Sequence, residues 1–171
     1  MPELRAQVPG MREPTVVSTF AGCGGSSLGY KMAGGKVLFA VEWKEECAET
    51  YRRNFPGANV WVGDIKDLKG EEAATMAGIV PGELDILDGS PPCQGFSLAG
   101  KRRDMDPRND LFREYVRLLA YLRPRAFVME NVKGMTLGKF RARFAEIMGA
   151  LRGAGYRVKA AVMDAAWYGV P

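Results

Sequence analysis

Short apolar segments that favour β-strands alternate with helical segments along most of this sequence. Strands are predicted over residues 15–20, 37–41, 59–62, 84–87, 126–129 and 156–163. Between them lie a helical segment at 26–32 and amphipathic patterns around Tyr51, Leu118 and Phe144. Most of the strands are short apolar runs, which is typical of strands buried on both faces. The pattern therefore predicts an α/β fold with a doubly wound, mostly parallel sheet.

The length of 171 residues suits one domain with a single core. Residues 1–14 contain three prolines and no apolar core, so a flexible tail is expected there, followed by one domain over 15–171. No apolar run approaches the length of about 20 residues that spans a bilayer. Cysteines at 23, 47 and 93 share no metal-ligand spacing and leave an odd count, so we expect neither zinc nor disulfides, and a reducing, cytoplasmic location.

Polar or glycine-rich segments follow the first five predicted strands in turn. In a doubly wound sheet, ligands bind in the crevice outside the carboxyl ends of the strands. We therefore expect these segments to converge on one site, built from Gly22–Gly25, Glu42, Asp64, Pro92 with Cys93, and Glu130 with Asn131.

Cys93 follows two consecutive prolines at the end of the fourth strand. The prolines make a stiff, extended exit that can neither join the sheet nor start a helix, so the thiol is held out from the sheet edge. We interpret Cys93 as a nucleophile, and the alternative is a small buried apolar residue. Because the chain contains no histidine, it lacks the usual general base of serine and cysteine hydrolases.

The glycine turn after the first strand lets a ligand approach the backbone closely, and Glu42 lies at the spacing of a carboxylate that binds ribose hydroxyls. This predicts a nucleoside-containing cofactor, although Ser27 replaces the third glycine of the dinucleotide fingerprint. The alternative is a structural turn with a solvated glutamate.

Trp43 could stack on an adenine or lie in the core. Asp64 could accept a hydrogen bond from the adenine amine or act as a turn residue.

Glu130 leaves an apolar strand, so a partly dehydrated cleft would raise its pKa and suit a proton donor. Pairing with an arginine is the alternative.

Four basic side chains in the stretch after Cys93 could contact a phosphate backbone or form a solvated charge run: Lys101, Arg102, Arg103 and Arg108. The net charge of +4 and the pI of about 9.0 are compatible with a polyanionic partner.

In this order, the motifs resemble those of the DNA (cytosine-5) methyltransferases, which bind S-adenosylmethionine on a Rossmann-like, doubly wound sheet. The resemblance implies that the cofactor contacts are Phe20, Ala21, Gly22, Cys23, Gly24, Gly25, Glu42, Trp43, Asp64, Ile65, Pro92 and Leu111. It implies catalytic roles for Cys93, Glu130 and Asn131. It implies substrate contacts by Gln94, Gly95, Ser97, Arg102 and Arg103. Trp167–Pro171 resembles the opening of a later motif.

The resemblance implies methylation of carbon five of cytosine in DNA through a covalent Cys93 adduct with a flipped base, in a prokaryotic restriction-modification setting. The family's target recognition domain, last motif and sheet-completing strand have no counterpart here. We therefore expect a sheet that is incomplete at its C-terminal end, in a truncated chain or in one subunit of a split enzyme whose second polypeptide carries the recognition domain. A cytosine-5 methyltransferase acting on RNA and a non-catalytic cofactor-binding subunit are the alternatives.

Overall fold

Strands and helices alternate along the chain in the computed structural model, which describes residues 12–92 and 110–170. The strands are β1 (Thr15–Thr19), β2 (Lys36–Glu42), β3 (Val60–Val62), β4 (Ile86–Gly89) and β5 (Ala126–Met129). The helices are α1 (Gly25–Met32), α2 (Glu45–Asn54), α3 (Gly70–Ala77), α4 (Leu111–Leu122) and α5 (Arg141–Gly153). Short 3₁₀ helices lie at Lys133–Thr136, Gly138–Phe140 and Ala165–Tyr168.

The strands form one sheet in the order β3-β2-β1-β4-β5, and every neighbouring pair is parallel. The chain winds outward from β1 to β3 and then returns to place β4 on the other side of β1. The predicted doubly wound, parallel sheet is thus confirmed. Its topological switch point lies between β1 and β4, which is where such sheets form their ligand crevice.

A row of apolar side chains crosses four strands and forms the base of the larger core. Val17 is in register with Phe39 on β2 and with Leu87 on β4, and Leu87 is in register with Phe127 on β5. Helices α3, α4 and α5 contribute buried residues to this core. A smaller core contains Ala21, Ala40 and Tyr51. The consecutive residues Phe39 and Ala40 belong to different cores because successive side chains of a strand point to opposite faces.

Helix α4 shows the periodicity that its sequence predicts. Its buried side chains recur every three or four residues and are Phe112, Tyr115, Leu118, Leu119 and Leu122. Helix α3 was not predicted, since its apolar residues are mostly alanines that give little periodic signal. No helix within the described ranges has both the length and the apolar character needed to cross a membrane.

The strand predicted over 156–163 is wrong, because those residues have no strand assignment. Tyr156 does pack on the core: its ring meets the Phe127 ring edge-on at 5.3 Å, and its hydroxyl donates to the Pro124 carbonyl at 2.7 Å. Every residue from 159 to 170 is exposed. A strand needs a hydrogen-bonded neighbour, and within the described residues this segment pairs with no strand, although the outer edge of β5 is unpaired.

Arg12, in the segment predicted to be a flexible tail, makes a bidentate ion pair with Asp85 at 2.7 and 2.8 Å. The carbonyl of Pro14 accepts a hydrogen bond from the backbone N–H of Lys36 at 2.9 Å. These contacts attach residues 12–14 to the amino-terminal edge of the sheet. The tail prediction for residues 1–11 concerns a segment outside the described residues.

Candidate active site

A cavity of about 410 Å³ lies at the carboxyl ends of β1 to β4, within the size range of small-molecule sites. Seven of the predicted cofactor residues line it: Phe20, Glu42, Trp43, Asp64, Ile65, Pro92 and Leu111. Five lining residues were not predicted: Val41, Lys44, Gly63, Lys66 and Ser90. Parallel strands end at the same sheet edge, so residues as far apart in the sequence as Phe20 and Leu111 meet here.

The predicted glycine-turn contacts Ala21, Gly22, Cys23, Gly24 and Gly25 lie next to this cavity but not among its lining residues. Gly24 has φ 95° and is the residue that precedes α1. A Cβ at Gly24 would overlap the Phe55 side chain, so only glycine allows the turn to pack against this ring at the end of α2. The turn therefore places the start of α1 at the switch point of the sheet.

Glu42 is 6% exposed, which rules out the solvated glutamate of the alternative interpretation. One carboxylate oxygen accepts the backbone N–H of Gly22 at 2.8 Å, and the other accepts the backbone N–H of Lys44 at 2.9 Å. Each oxygen keeps further acceptor capacity, because an ionised carboxylate offers about four lone-pair positions. Glu42 thus holds the glycine turn against β2 and also presents a carboxylate to the cavity.

Trp43 is 65% exposed, so the core alternative for this residue is wrong. Its ring is open to the cavity, and the Lys44 ammonium lies 5.8 Å from the centre of the ring. Asp64 accepts the backbone N–H of Lys66 at 3.1 Å, as the turn interpretation predicts. Asp64 also lines the cavity, so a role in the turn does not remove it from the site.

Arg117 is a site-supporting residue that the sequence interpretation missed. Its guanidinium donates to the carbonyls of Ile65 and Leu68, each at 2.9 Å, and to the carboxylate of Glu114 at 2.7 Å. These bonds attach the segment after β3, which forms one wall of the cavity, to α4. The sequence does place Arg117 three residues after Glu114 on a predicted amphipathic helix. That spacing indicates an ion pair within the helix and not a contact with the segment after β3.

The ends of β4 and β5 are joined next to the predicted nucleophile. The Asn131 side chain donates to the carbonyl of Pro91 at 3.2 Å, and the backbone N–H of Glu130 donates to the carbonyl of Gly89 at 3.0 Å. The Glu130 side chain is exposed, so the described residues do not form the dehydrated cleft that was expected around it. Asn131 therefore braces the proline exit that precedes Cys93.

The remaining predicted residues lie outside the described residues. They are Cys93, Gln94, Gly95, Ser97, Arg102 and Arg103. Of the two described cysteines, Cys23 is exposed and Cys47 is partly buried. Burial, together with the negative charge of Glu42, raises the pKa of the Cys47 thiol. A raised pKa disfavours the nucleophilic thiolate, so Cys47 is a poor candidate for the reactive cysteine.

Comparison with known proteins agrees with this geometry. The sequence profile of the C-5 cytosine-specific DNA methylases matches residues 14–171. Type II methyltransferase M.XorII of Xanthomonas oryzae pv. oryzae is 42% identical over 163 residues, which cover 94% of this chain and 38% of that protein. Type II methyltransferase M.AquIA of Picosynechococcus sp. is 40% identical over 168 residues, which cover 93% of this chain and 68% of that protein.

A solved structure of a prophage-encoded DNA modification methyltransferase from E. coli superimposes with a TM-score of 0.70 at 32% identity. The match covers 82% of this chain and 38% of that one. The chain thus spans between 38% and 68% of the length of these three proteins. The profile match, the identities and the parallel sheet agree, and the chain belongs to the C-5 cytosine-specific DNA methylase family.

Proposed function

We propose that this chain is the catalytic part of a DNA (cytosine-5) methyltransferase, which transfers a methyl group from S-adenosylmethionine to carbon five of cytosine. The observation that carries the proposal is the cavity at the ends of β1 to β4, where the buried Glu42 carboxylate and the exposed Trp43 ring lie together. Relatives named type II methyltransferases support a role in restriction-modification.

The residues that line the cavity fit S-adenosylmethionine, which supplies an electrophilic methyl group when bound. The free acceptor positions on Glu42 suit the two ribose hydroxyls, since hydroxyl groups donate to carboxylates. The exposed Trp43 ring offers an aromatic surface for the adenine, and Ile65 and Leu111 supply apolar walls. Asp64 lies two residues after the end of β3 and lines the cavity, where its carboxylate can accept a hydrogen bond from the exocyclic amine of the adenine.

In the proposed reaction the Cys93 thiolate adds to carbon six of the cytosine, which makes carbon five nucleophilic enough to take the methyl group. A base then removes the carbon-five proton, and elimination releases the Cys93 thiolate. Glu130 holds the ring and donates a proton to N3 as Cys93 adds, and its carboxylate takes that proton back when Cys93 is eliminated. Asn131 keeps the end of β5 close to the exit of β4 through its bond to Pro91. A cytosine within a duplex is out of reach, so the base must be flipped out.

The 93–109 segment contains the remaining predicted contacts to DNA. We propose that Gln94, Gly95 and Ser97 contact the flipped nucleotide, and that Arg102 and Arg103 contact phosphates. Phosphate contacts carry no sequence information directly, so they would give binding that is sequence-independent and sensitive to salt.

We further propose that target recognition and sheet completion come from polypeptide outside the 171 residues of this sequence, either elsewhere in the same protein or in a second chain. Two features support this. Among the described residues β5 has no partner on its outer edge, and Val162, Met163, Trp167, Tyr168 and Val170 are each more than half exposed. An apolar stretch of this kind marks a surface that is covered by another segment.

Mechanism-based trapping tests the proposal directly. The chain, with the polypeptide that completes it, is incubated with S-adenosylmethionine and duplex DNA containing 5-fluorocytosine, whose fluorine cannot leave as a proton does. We expect a covalent adduct that maps to Cys93 and is absent in Cys93→Ser, while Cys23→Ser and Cys47→Ser retain it. An adduct at Cys47, or efficient trapping on transfer RNA instead of DNA, would contradict the proposal.

A further inference from the structure

Asp88, in β4, is a buried carboxylate that no step of the proposed reaction uses. It is 6% exposed and accepts hydrogen bonds from three hydroxyl groups. Ser26 Oγ and Ser18 Oγ donate to one oxygen at 2.5 and 3.3 Å, and Tyr30 OH donates to the other at 3.2 Å. Within the described ranges Asp88 has no ion pair, whereas Asp85, three residues earlier and just before the start of β4, pairs with Arg12 and Arg125.

The three hydroxyl donors come from elements that meet at the switch point of the sheet. Ser18 lies on β1, while Ser26 and Tyr30 lie four residues apart on α1, so that both face β4. Burial and the charge of Asp88 raise the pKa of Tyr30, which keeps its hydroxyl protonated and donating. One carboxylate therefore fixes the first two turns of α1 against the central strands.

The position of this cluster relates it to the cavity. Ser26 directly follows the glycine turn that Glu42 anchors, and Asp88 lies two residues before Ser90, which lines the cavity. Close packing around Gly89 restrains the same strand end: a Cβ there would overlap the Thr19 hydroxyl and lie 2.8 Å from the Tyr115 ring. A shift of α1 relative to β4 would thus move the glycine turn, which Glu42 holds beside the cavity, relative to the end of β4, where Ser90 lines it.

We propose that Asp88 is a positioning residue of the cofactor site, where its carboxylate aligns α1 with the exit of β4 and so tightens cofactor binding. This inference rests on the proposed function. A buried carboxylate without a cationic partner is costly, and a neutral side chain of the same shape would fill the space without that cost. The charge strengthens the hydroxyl bonds, because hydrogen bonds to ionised acceptors are shorter and stronger than neutral ones.

The test compares Asp88→Asn with Asp85→Asn, a matched control that directly precedes β4 and is 7% exposed. Calorimetry gives the Kd for S-adenosylmethionine, and thermal unfolding gives the Tm. We expect Asp88→Asn to raise the Kd about fivefold to tenfold, since the carboxamide loses one acceptor oxygen and the charge. Asp85→Asn should lower the Tm at least as much while leaving the Kd within about twofold.

A second variant, Ser26→Ala, removes one donor from an exposed position and keeps the experiment decisive if Asp88→Asn does not fold. It should raise the Kd by a smaller factor, and it should have little further effect when Asp88→Asn is already present. In the completed enzyme, Asp88→Asn should raise the KM for the cofactor without raising the KM for DNA.

An unchanged Kd in folded Asp88→Asn and in Ser26→Ala would overturn the inference. Equal rises in Kd for Asp88→Asn and Asp85→Asn would do the same, because they would reflect general destabilisation. Failure of the wild-type chain to bind S-adenosylmethionine would instead refute the proposed function, so the two failures are distinguishable.

Discussion

Replacing Glu42 with glutamine should weaken cofactor binding and also lower the stability of the turn that precedes α1. The carboxylate has two tasks in the structure: it accepts the backbone N–H groups of Gly22 and Lys44, and it faces the cavity. A carboxamide has one acceptor oxygen, so it can satisfy only one of these two backbone donors. The other donor would then face an NH₂ group.

The magnitude follows from these contacts. Leaving one buried backbone donor unsatisfied costs about 1–3 kcal/mol in the free energy of unfolding. Loss of a charged acceptor for the ribose hydroxyls removes about 1.5–3 kcal/mol of binding free energy, which raises the Kd about 10-fold to 150-fold. Glu42→Ala is a poorer test, because it leaves both backbone donors unsatisfied and disturbs the turn further.

Calorimetry with S-adenosylmethionine measures the Kd, and urea denaturation measures the free energy of unfolding. Glu49→Gln is the matched control, since Glu49 lies on the neighbouring helix α2 with its side chain 56% exposed. Among the described residues its carboxylate makes only a 3.6 Å surface ion pair with Arg53. The control should change neither quantity measurably. If folded Glu42→Gln binds the cofactor as tightly as the wild type does, Glu42 serves only the turn and the ribose assignment is refuted.

Three further changes test other parts of the structure. Arg117→Met should raise the Kd for the cofactor about tenfold, because one cavity wall loses its two guanidinium bonds, and calorimetry showing an unchanged Kd would contradict that role. Gly89→Ala should lower the free energy of unfolding by about 1–3 kcal/mol, because the added methyl group would overlap an aromatic ring at 2.8 Å. Gly149→Ala, in open space on α5, should instead raise the free energy of unfolding by up to about 1 kcal/mol. Denaturation curves that rank the two variants in the opposite order would refute the packing argument. Burial alone would raise the pKa of Asp85, but hydrogen bonds from Thr15 and the neighbouring Arg12 guanidinium outweigh burial and lower the pKa. The ionised Asp85 carboxylate therefore stabilises the fold above about pH 4, and this stabilisation disappears as the pH falls through the folded-state pKa. Asp85→Asn should therefore flatten the loss of unfolding free energy below that pH, and an unchanged acid limb in urea denaturation would show that the ion pair contributes nothing.

Local patterns were sufficient to predict most of the secondary structure and the location of the site. Short apolar runs predicted the buried strands, and apolar residues at helical spacing predicted the buried face of α4. Parallel strands end at a common edge, so the residues that follow them could be assigned to one crevice before any contact was known. The strand expected over 156–163 is absent, because a local pattern does not say whether a segment will pair with the edge of a neighbouring strand.

Contacts between distant residues were decided only by the tertiary structure. Nothing in the sequence pairs Ser26 with Asp88, which lie 62 positions apart, or Arg117 with the carbonyl of Ile65, which lies 52 positions away. Spacing likewise suggested one task for Glu42, and the fold assigned it a second as an acceptor for the backbone of the glycine turn. Periodicity reports which side of an element faces the core, because burial acts on each residue separately. Which polar groups meet within that core depends on the register and packing of whole elements, and those are properties of the assembled sheet and its helices.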